Sequence, residues 1–559
     1  MPDFGITTNI PYSYFIYKSG STYYAQSGDN INNPSTITSN SDFVTLISDL
    51  VNGVTAGTPL TIKIGSGDFI LHSVLSIPHT RIGNITIDGQ GMGKTRLLLG
   101  SGLNGLGAGT TVIKIGSDLT IAAGNTGTLT ANTVKRGRTA TMSTADGAKF
   151  GQNDFVLLKS NKLWTSPATG SSLAKQGEIK QVYSIPAAGV VTFDTPIFDI
   201  YNTADTALLY KLSLLKNITI SNLTITNDVG LTNATLNFLD ILYCFNFRIS
   251  NIEIIDNKYQ YNCGISLFSC INALITDCNL IQNPSNTYNL QYGISLNGSC
   301  QNCIIESCTS YGGFRHSFEM CNGLGGSLID KYAGVCRNNL ISNCVSIGNE
   351  DSPFDTHEDG EMNTFDNCKV LGTYSTYGFQ IRSKRTKVVN CTVHSAANRG
   401  FYFYEDADEC DLINCDAYNC GWFGVQINTG VKNMRIIGGS FSNNDDFGIY
   451  AAAGCDNLTI MGVTTNGNVT GGILIEDCNN FSITNSMISG NANFGIYIDS
   501  VILVPTKFII NMNNLANQSS SPMTIDTSIT GADIIIKDNI GATNSVNPTN
   551  TEFNKDNLN

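Results

Sequence analysis

The sequence predicts an all-β chain: a right-handed parallel β-helix solenoid with a short N-terminal capping helix and an inserted β-rich subdomain. Three observations carry this expectation. A glycine followed by an apolar residue recurs at Gly378, Gly400, Gly424, Gly448, Gly472 and Gly495, at spacings of 22, 24, 24, 24 and 23 residues. A period in this range marks a solenoid in which each turn is one repeat. Charged residues make up only 14% of the 559, while Gly numbers 55, which suits many short strands joined by tight turns. Asn-Cys pairs recur in step at 343–344, 367–368, 390–391 and 414–415, as expected for Cys stacked coil on coil as a small buried hydrophobe beside laddered Asn amides.

The elements follow in chain order. Residues 1–40 read as an N-terminal arm without a clear period. In the segment 41–103, Ser41 or Asp42 caps a helix with apolar Phe43, Leu46, Ile47 and Leu50, closed by Gly53, a plug for the open end of a solenoid. The first coils follow it. Gly91-Met92-Gly93-Lys94-Thr95 ends like a phosphate-binding loop, but Asp88 stands where the first glycine is required, which excludes a nucleotide site. Residues 104–214 break the period with runs such as TVIKI, DFVLLKS and GVVTF and read as the β-rich insertion. Coils resume over 215–502 as the main β-helix, and 503–559 read as a C-terminal cap and tail.

A net charge of −13 disfavours a nucleic-acid partner. No apolar run reaches the length of a membrane span, and the N-terminus lacks the pattern of a classical secretory signal. The 17 Cys lack the paired spacing of a zinc site.

Strand alternation turns the glycine ladder into a coordinate frame. One outward column reads Glu319, Asp355, Gln380, Tyr402, Gln426. The next reads Cys321, His357, Arg382, Tyr404, Asn428, with Glu358 and Glu405 at the strand ends and Arg315 and His316 just before theirs. The two rungs without glycine, near 317 and 353, are the ones that carry carboxylates and His. Glu319 and Asp355 on adjacent coils are expected roughly 5 Å apart, a spacing that suits retaining glycoside hydrolysis, Ca2+ or sugar binding. Arg382 is placed to neutralise a uronate carboxylate, which eases loss of the C5 proton. His357 or Tyr404 is placed to take that proton, Tyr402 to protonate the leaving oxygen, and Asp355 to orient His357. Arg315, His316, Glu358, Gln380, Glu405 and Asn428 complete the expected sugar-contacting set.

The run Phe354-Asp355-Thr356-His357-Glu358 resembles the Tyr-Gly-Phe-Asp-Pro-His-Glu signature of mannuronan C5-epimerases. Ser352, Pro353 and Thr356 depart from it, and Gln380 and Arg382 stand where that family places a second catalytic Asp. More broadly, residues 41–500 are similar to pectate-lyase-like β-helix tailspikes of viruses. The likeness is carried by NITIDGQGMGKTRLLL, by the inserted GQNDFVLLKSNKLWTS and KQGEIKQVYSI stretches, by Arg315-His316 and by Asp355-Thr356-His357. That resemblance implies a virion-borne homotrimer without a signal peptide, acting on an acidic polysaccharide of a host surface and attached to the tail through residues 1–40. The readings that follow are β-elimination on a uronic-acid polymer, hydrolysis by Glu319 and Asp355, epimerase-like chemistry, or a glycan-binding adhesin or structural tail protein without catalysis.

Overall fold

In a computed structural model, the chain is a right-handed parallel β-helix. The structure describes residues 13–541 except 29–36, 81–82, 108, 118–122, 165–174, 233–235, 257–262, 283–291, 321–333, 349–350, 373–374, 502–504, 506 and 530–532. Cys321 and the tail beyond 541 therefore lie outside the described residues.

One wall of the solenoid is a 14-stranded parallel sheet running from Leu75–Ile77 to Ser521–Ile525. The expected register holds rung by rung: Glu319 lies beside Asp355, Asp355 beside Gln380, Gln380 beside Tyr402 and Tyr402 beside Gln426. Beneath this wall Phe318, Phe354, Phe379 and Phe401 form a continuous ring stack, with centroid spacings of 5.3, 4.6 and 5.1 Å. Each strand thus buries one face in a core that grows by one layer per coil.

The glycine ladder has a steric cause. A Cβ on Gly400 would lie 2.6 Å from the Gly424 carbonyl oxygen, and one on Gly424 would lie 2.6 Å from that of Gly448. Backbone approaches where a side chain would stand. At the interrupted rung Ser317 takes the place, and its hydroxyl is bonded to those of Ser310 at 2.7 Å and Ser346 at 3.0 Å. A small, satisfied polar group is tolerated where Gly is otherwise needed.

All sixteen cysteines among the described residues are buried and free of disulfides. Asn343, Asn367, Asn390 and Asn414 occupy left-handed turns with φ of 54°, 51°, 53° and 51°, a conformation that Asn tolerates. A second, buried amide ladder runs Asn444, Asn468, Asn491, Gln518, each donating to the next at 3.0, 2.9 and 3.3 Å.

The capping helix spans Phe43–Gly53, with Asp42 accepting from the Thr45 backbone N–H at 2.7 Å. Three stretches differ from the sequence expectation. Tyr14–Ser19 and Thr22–Ser27 form an antiparallel hairpin, and the first strand pairs in parallel with Leu60–Ile64, so this segment extends the solenoid wall. Thr111–Ile115 is a solenoid rung between Leu75–Ile77 and Asn237–Leu242; its alternation is that of every other rung. A six-stranded sheet follows it, from Thr126–Thr128 to Leu208–Leu212. Stacking also continues past 502 through Lys507–Asn511, Ser521–Ile525 and Asp533–Lys537. Pro522 stands where the next glycine would fall, with its carbonyl 2.3 Å from the Cβ that Gly495 lacks.

Candidate functional site

The interrupted rungs His316–Met320 and Phe354–Thr356 bring the expected charged groups together. His357 Nε2 lies 3.2 Å from Asp355 Oδ2 and 3.3 Å from Glu319 Oε1, in ion-pair contact without the alignment of a hydrogen bond. Arg382 Nη2 donates to both Asp355 oxygens, at 2.9 and 3.0 Å, and lies 3.3 Å from Gln380 Oε1. Ser295 Oγ donates to Glu319 Oε2 at 2.9 Å. His316 Nδ1 lies 2.8 Å from the Ser352 carbonyl oxygen, which fixes its proton on that nitrogen and turns Nε2 toward Asp355 at 3.8 Å.

The sequence placed these groups on an exposed surface, and the structure corrects that. Glu319, Asp355 and His316 are 0% exposed, Glu358 4% and His357 7%. Outward from the core is not the same as open to solvent: side chains of adjacent coils close over one another. Glu319 and Asp355 therefore cannot flank a sugar as a hydrolytic pair in this arrangement, and His316 and Glu358 do not line an open groove. The groups that meet solvent are the edges of His357 and of Tyr402, itself buried at 7% exposure, the half-buried Arg382, Tyr404, Gln380 and Asn428, and the exposed Glu405. Arg315 is partly exposed and turns to Asp351 at 3.5 Å.

Burial and Arg382 oppose a charge on His357, but Asp355, Glu319 and Glu358 outweigh them, and its pKa rises to about 9. Burial alone would raise Asp355; Arg382, His316 and His357 reverse this and hold it below the usual carboxylate range. Burial pushes Tyr402 up to about 12, so it remains a phenol and a proton donor. Burial also lifts Asp359 to about 6. Asp359, three residues past the strand Phe354–Thr356, is not among the residues singled out from the sequence.

His316, Glu319, Asp355 and His357 each place one ligand-type atom within 4.8 Å of the others. Two imidazoles do not suit Ca2+, which takes oxygen ligands. A transition ion would compete with the Arg382 guanidinium for Asp355 and with the proton on His357. The cluster is thus an ion-paired cradle that holds Arg382 and His357, and the Ca2+ expectation finds no oxygen-rich set here. Arg382 Nε is buried with no hydrogen-bond partner among the described residues, while the guanidinium as a whole is half-buried.

Beyond this cluster the outward face becomes aromatic. Tyr402 contacts Tyr377 at 5.1 Å and Tyr404 at 5.4 Å between ring centroids. Tyr377, Arg399 and Trp422 on these coils were also not singled out from the sequence, since each falls outside the two columns traced there.

Comparison with known proteins agrees with the fold. Residues 377–539 match the sequence family described as right handed beta helix region. Over 255 residues the chain is 27% identical to a depolymerase, capsule K1-specific, of Klebsiella phage K64-1; the match covers 44% of this chain and 27% of that protein. The chain thus spans about a quarter of the length of this relative. Among solved structures, a tailspike of Acinetobacter baumannii bacteriophage AP22, in complex with capsular saccharide, aligns with 91% of this chain and 76% of its own at 15% identity and a TM-score of 0.52. The gp49 tailspike of Pseudomonas phage LKA1 aligns with 86% and 77% at 17% identity and a TM-score of 0.52. No helix among the described residues is long and apolar enough to cross a membrane.

Proposed function

We propose that this right-handed β-helix, similar in fold to phage tailspikes, degrades an acidic surface polysaccharide by β-elimination at a uronate ring. The observation that carries this reading is the pair of cations, Arg382 and His357, held by buried carboxylates, with two tyrosines on the next coil. Arg382 neutralises the uronate carboxylate and so acidifies the C5–H bond. His357, in its neutral form, takes the C5 proton. The C5–H electrons form the C4=C5 double bond, the C4–O4 bond breaks, and Tyr402 gives its phenolic proton to the departing O4. Tyr404 stacks on the sugar or relays the proton. Glu319 and Asp355 hold the machinery in place. Because His357 keeps its proton up to about pH 9, the rate climbs with pH to an alkaline limb near that value.

The fold likeness and the capsule depolymerase relative support a virion-borne protein that binds a host capsule. The test is incubation of the pure protein with the surface polysaccharide of its host and with uronate polymers. The expected result is new ultraviolet absorbance of an unsaturated uronate. New reducing ends without that absorbance favour hydrolysis, and retention without any product favours an adhesin. His357→Ala with full activity would overturn the assignment of the base.

A further inference from the structure

On the coil after Gln380, Arg399 rests on an aromatic platform. Its guanidinium carbon lies 4.8 Å from the Tyr402 ring centroid, 4.8 Å from that of Trp422 and 5.3 Å from that of Tyr377. Its Nε donates to Gln426 Oε1. Amide and rings together fix the plane of the cation while leaving its charge uncompensated. Arg315, Arg337, Arg382, Arg385 and Arg435 on the same solenoid each lie within ion-pair distance of a carboxylate. Arg399 has no such partner among the described residues. Trp422 beside it is 49% exposed, a large flat apolar face turned to water.

We infer that Arg399, Tyr377, Tyr402 and Trp422 form a subsite for a carboxylate-bearing sugar ring, with the indole stacking on the ring and the guanidinium taking its carboxylate. A guanidinium held by π faces and short of an anion matches the planar, two-oxygen geometry of a carboxylate, and an aromatic face matches the C–H side of a pyranose. Two rungs of about 4.8 Å separate Asp355 from Tyr402, so the subsite lies about 10 Å from the ion cluster, on its C-terminal side. The glycan chain then runs along the solenoid axis. This inference rests on the glycan reading above but not on its elimination chemistry.

The chain has two tryptophans, so Trp164→Phe leaves the emission of Trp422 alone. Trp164 faces Arg337 at 5.0 Å and its indole N–H has no partner among the described residues, so phenylalanine keeps the ring contact. The full chain with this change is titrated with sodium glucuronate, with glucose and with the methyl ester of glucuronate. Glucuronate is expected to change the emission saturably, with the two neutral sugars binding about ten-fold more weakly, the worth of one charge-assisted hydrogen bond. Arg399→Gln is expected to erase that preference. Trp422→Ala, at an exposed position, is expected to lose glucuronate binding by calorimetry. Equal responses to acid and neutral sugars, no saturable response to millimolar glucuronate, or a preference that survives Arg399→Gln each overturn the subsite. No turnover is involved. Polymer digestion that fails beside a positive titration sinks the elimination reading alone, and the converse sinks the subsite alone.

Discussion

The coil at Phe354–Thr356 and the coil at Phe447–Ala451 stack in the same wall, with the same inward apolar face, yet they treat their outward residues in opposite ways. In the second, the outward Tyr450 is half-buried and donates to Glu476 at 2.6 Å. In the first, the outward Asp355 is fully buried beneath Arg382, His357 and His316. The regular coil is held by backbone and by glycine, so its surface is free to vary. The irregular coil gives up glycine and binds its outward face into a charged network. A buried network of this kind has high stakes, because each member satisfies a neighbour that would otherwise be stranded.

The largest difference between the two coils is expected at Asp355. Asp355→Ala leaves Arg382 and protonated His357 without their shared anion. It is expected to destabilise the protein by about 3–5 kcal/mol, seen as a lowered melting temperature, and to abolish polymer cleavage. An unchanged melting temperature would show that the network is not structural. Next is Asn468→Ala in the regular region. It strands the Asn444 backbone N–H, which donates to Asn468 at 2.9 Å, and takes from the Asn444 amide its 3.0 Å acceptor, leaving only the Ala417 carbonyl oxygen at 3.5 Å. The expected cost is about 1–3 kcal/mol in chemical denaturation, with cleavage rate retained.

Titration sharpens the contrast further. His357 has its pKa raised to about 9 from an ordinary value near 6.5, so the folded state binds its proton more tightly than the unfolded chain. That stabilisation is complete below about pH 6.5 and is lost as pH rises through about 9. The melting temperature should fall across that window in the wild type and less so in His357→Gln. The smallest effect is expected at Tyr450→Phe, about 1 kcal/mol or less from one partly exposed hydrogen bond. A loss as large as that at Asp355 would erase the distinction between the two coils.

Much of the solenoid was legible. A repeat period is a local property of the chain, and stacking turns equal spacing into alignment; hence the column Glu319, Asp355, Gln380, Tyr402, Gln426 could be written down before any coordinates. Where the marker changed, the reading stopped early: Pro522 hides a rung that continues the wall, and Thr111–Ile115 reads as a strand of any sheet. The hairpin at Tyr14–Ser27 left no period to follow.

At the candidate site, period and alternation fix Cα positions, so the amino-acid order alone dictates which residues share a face and in what order they stack. Folding in three dimensions is what seals Glu319 and Asp355 from solvent, sets Asp355 against Arg382 and His357 together, and puts Arg399 among three aromatic rings. Those outcomes depend on how long side chains from several coils fold over one another, and on the low-dielectric surroundings that result, which set both the pKa of His357 and what a ligand can reach.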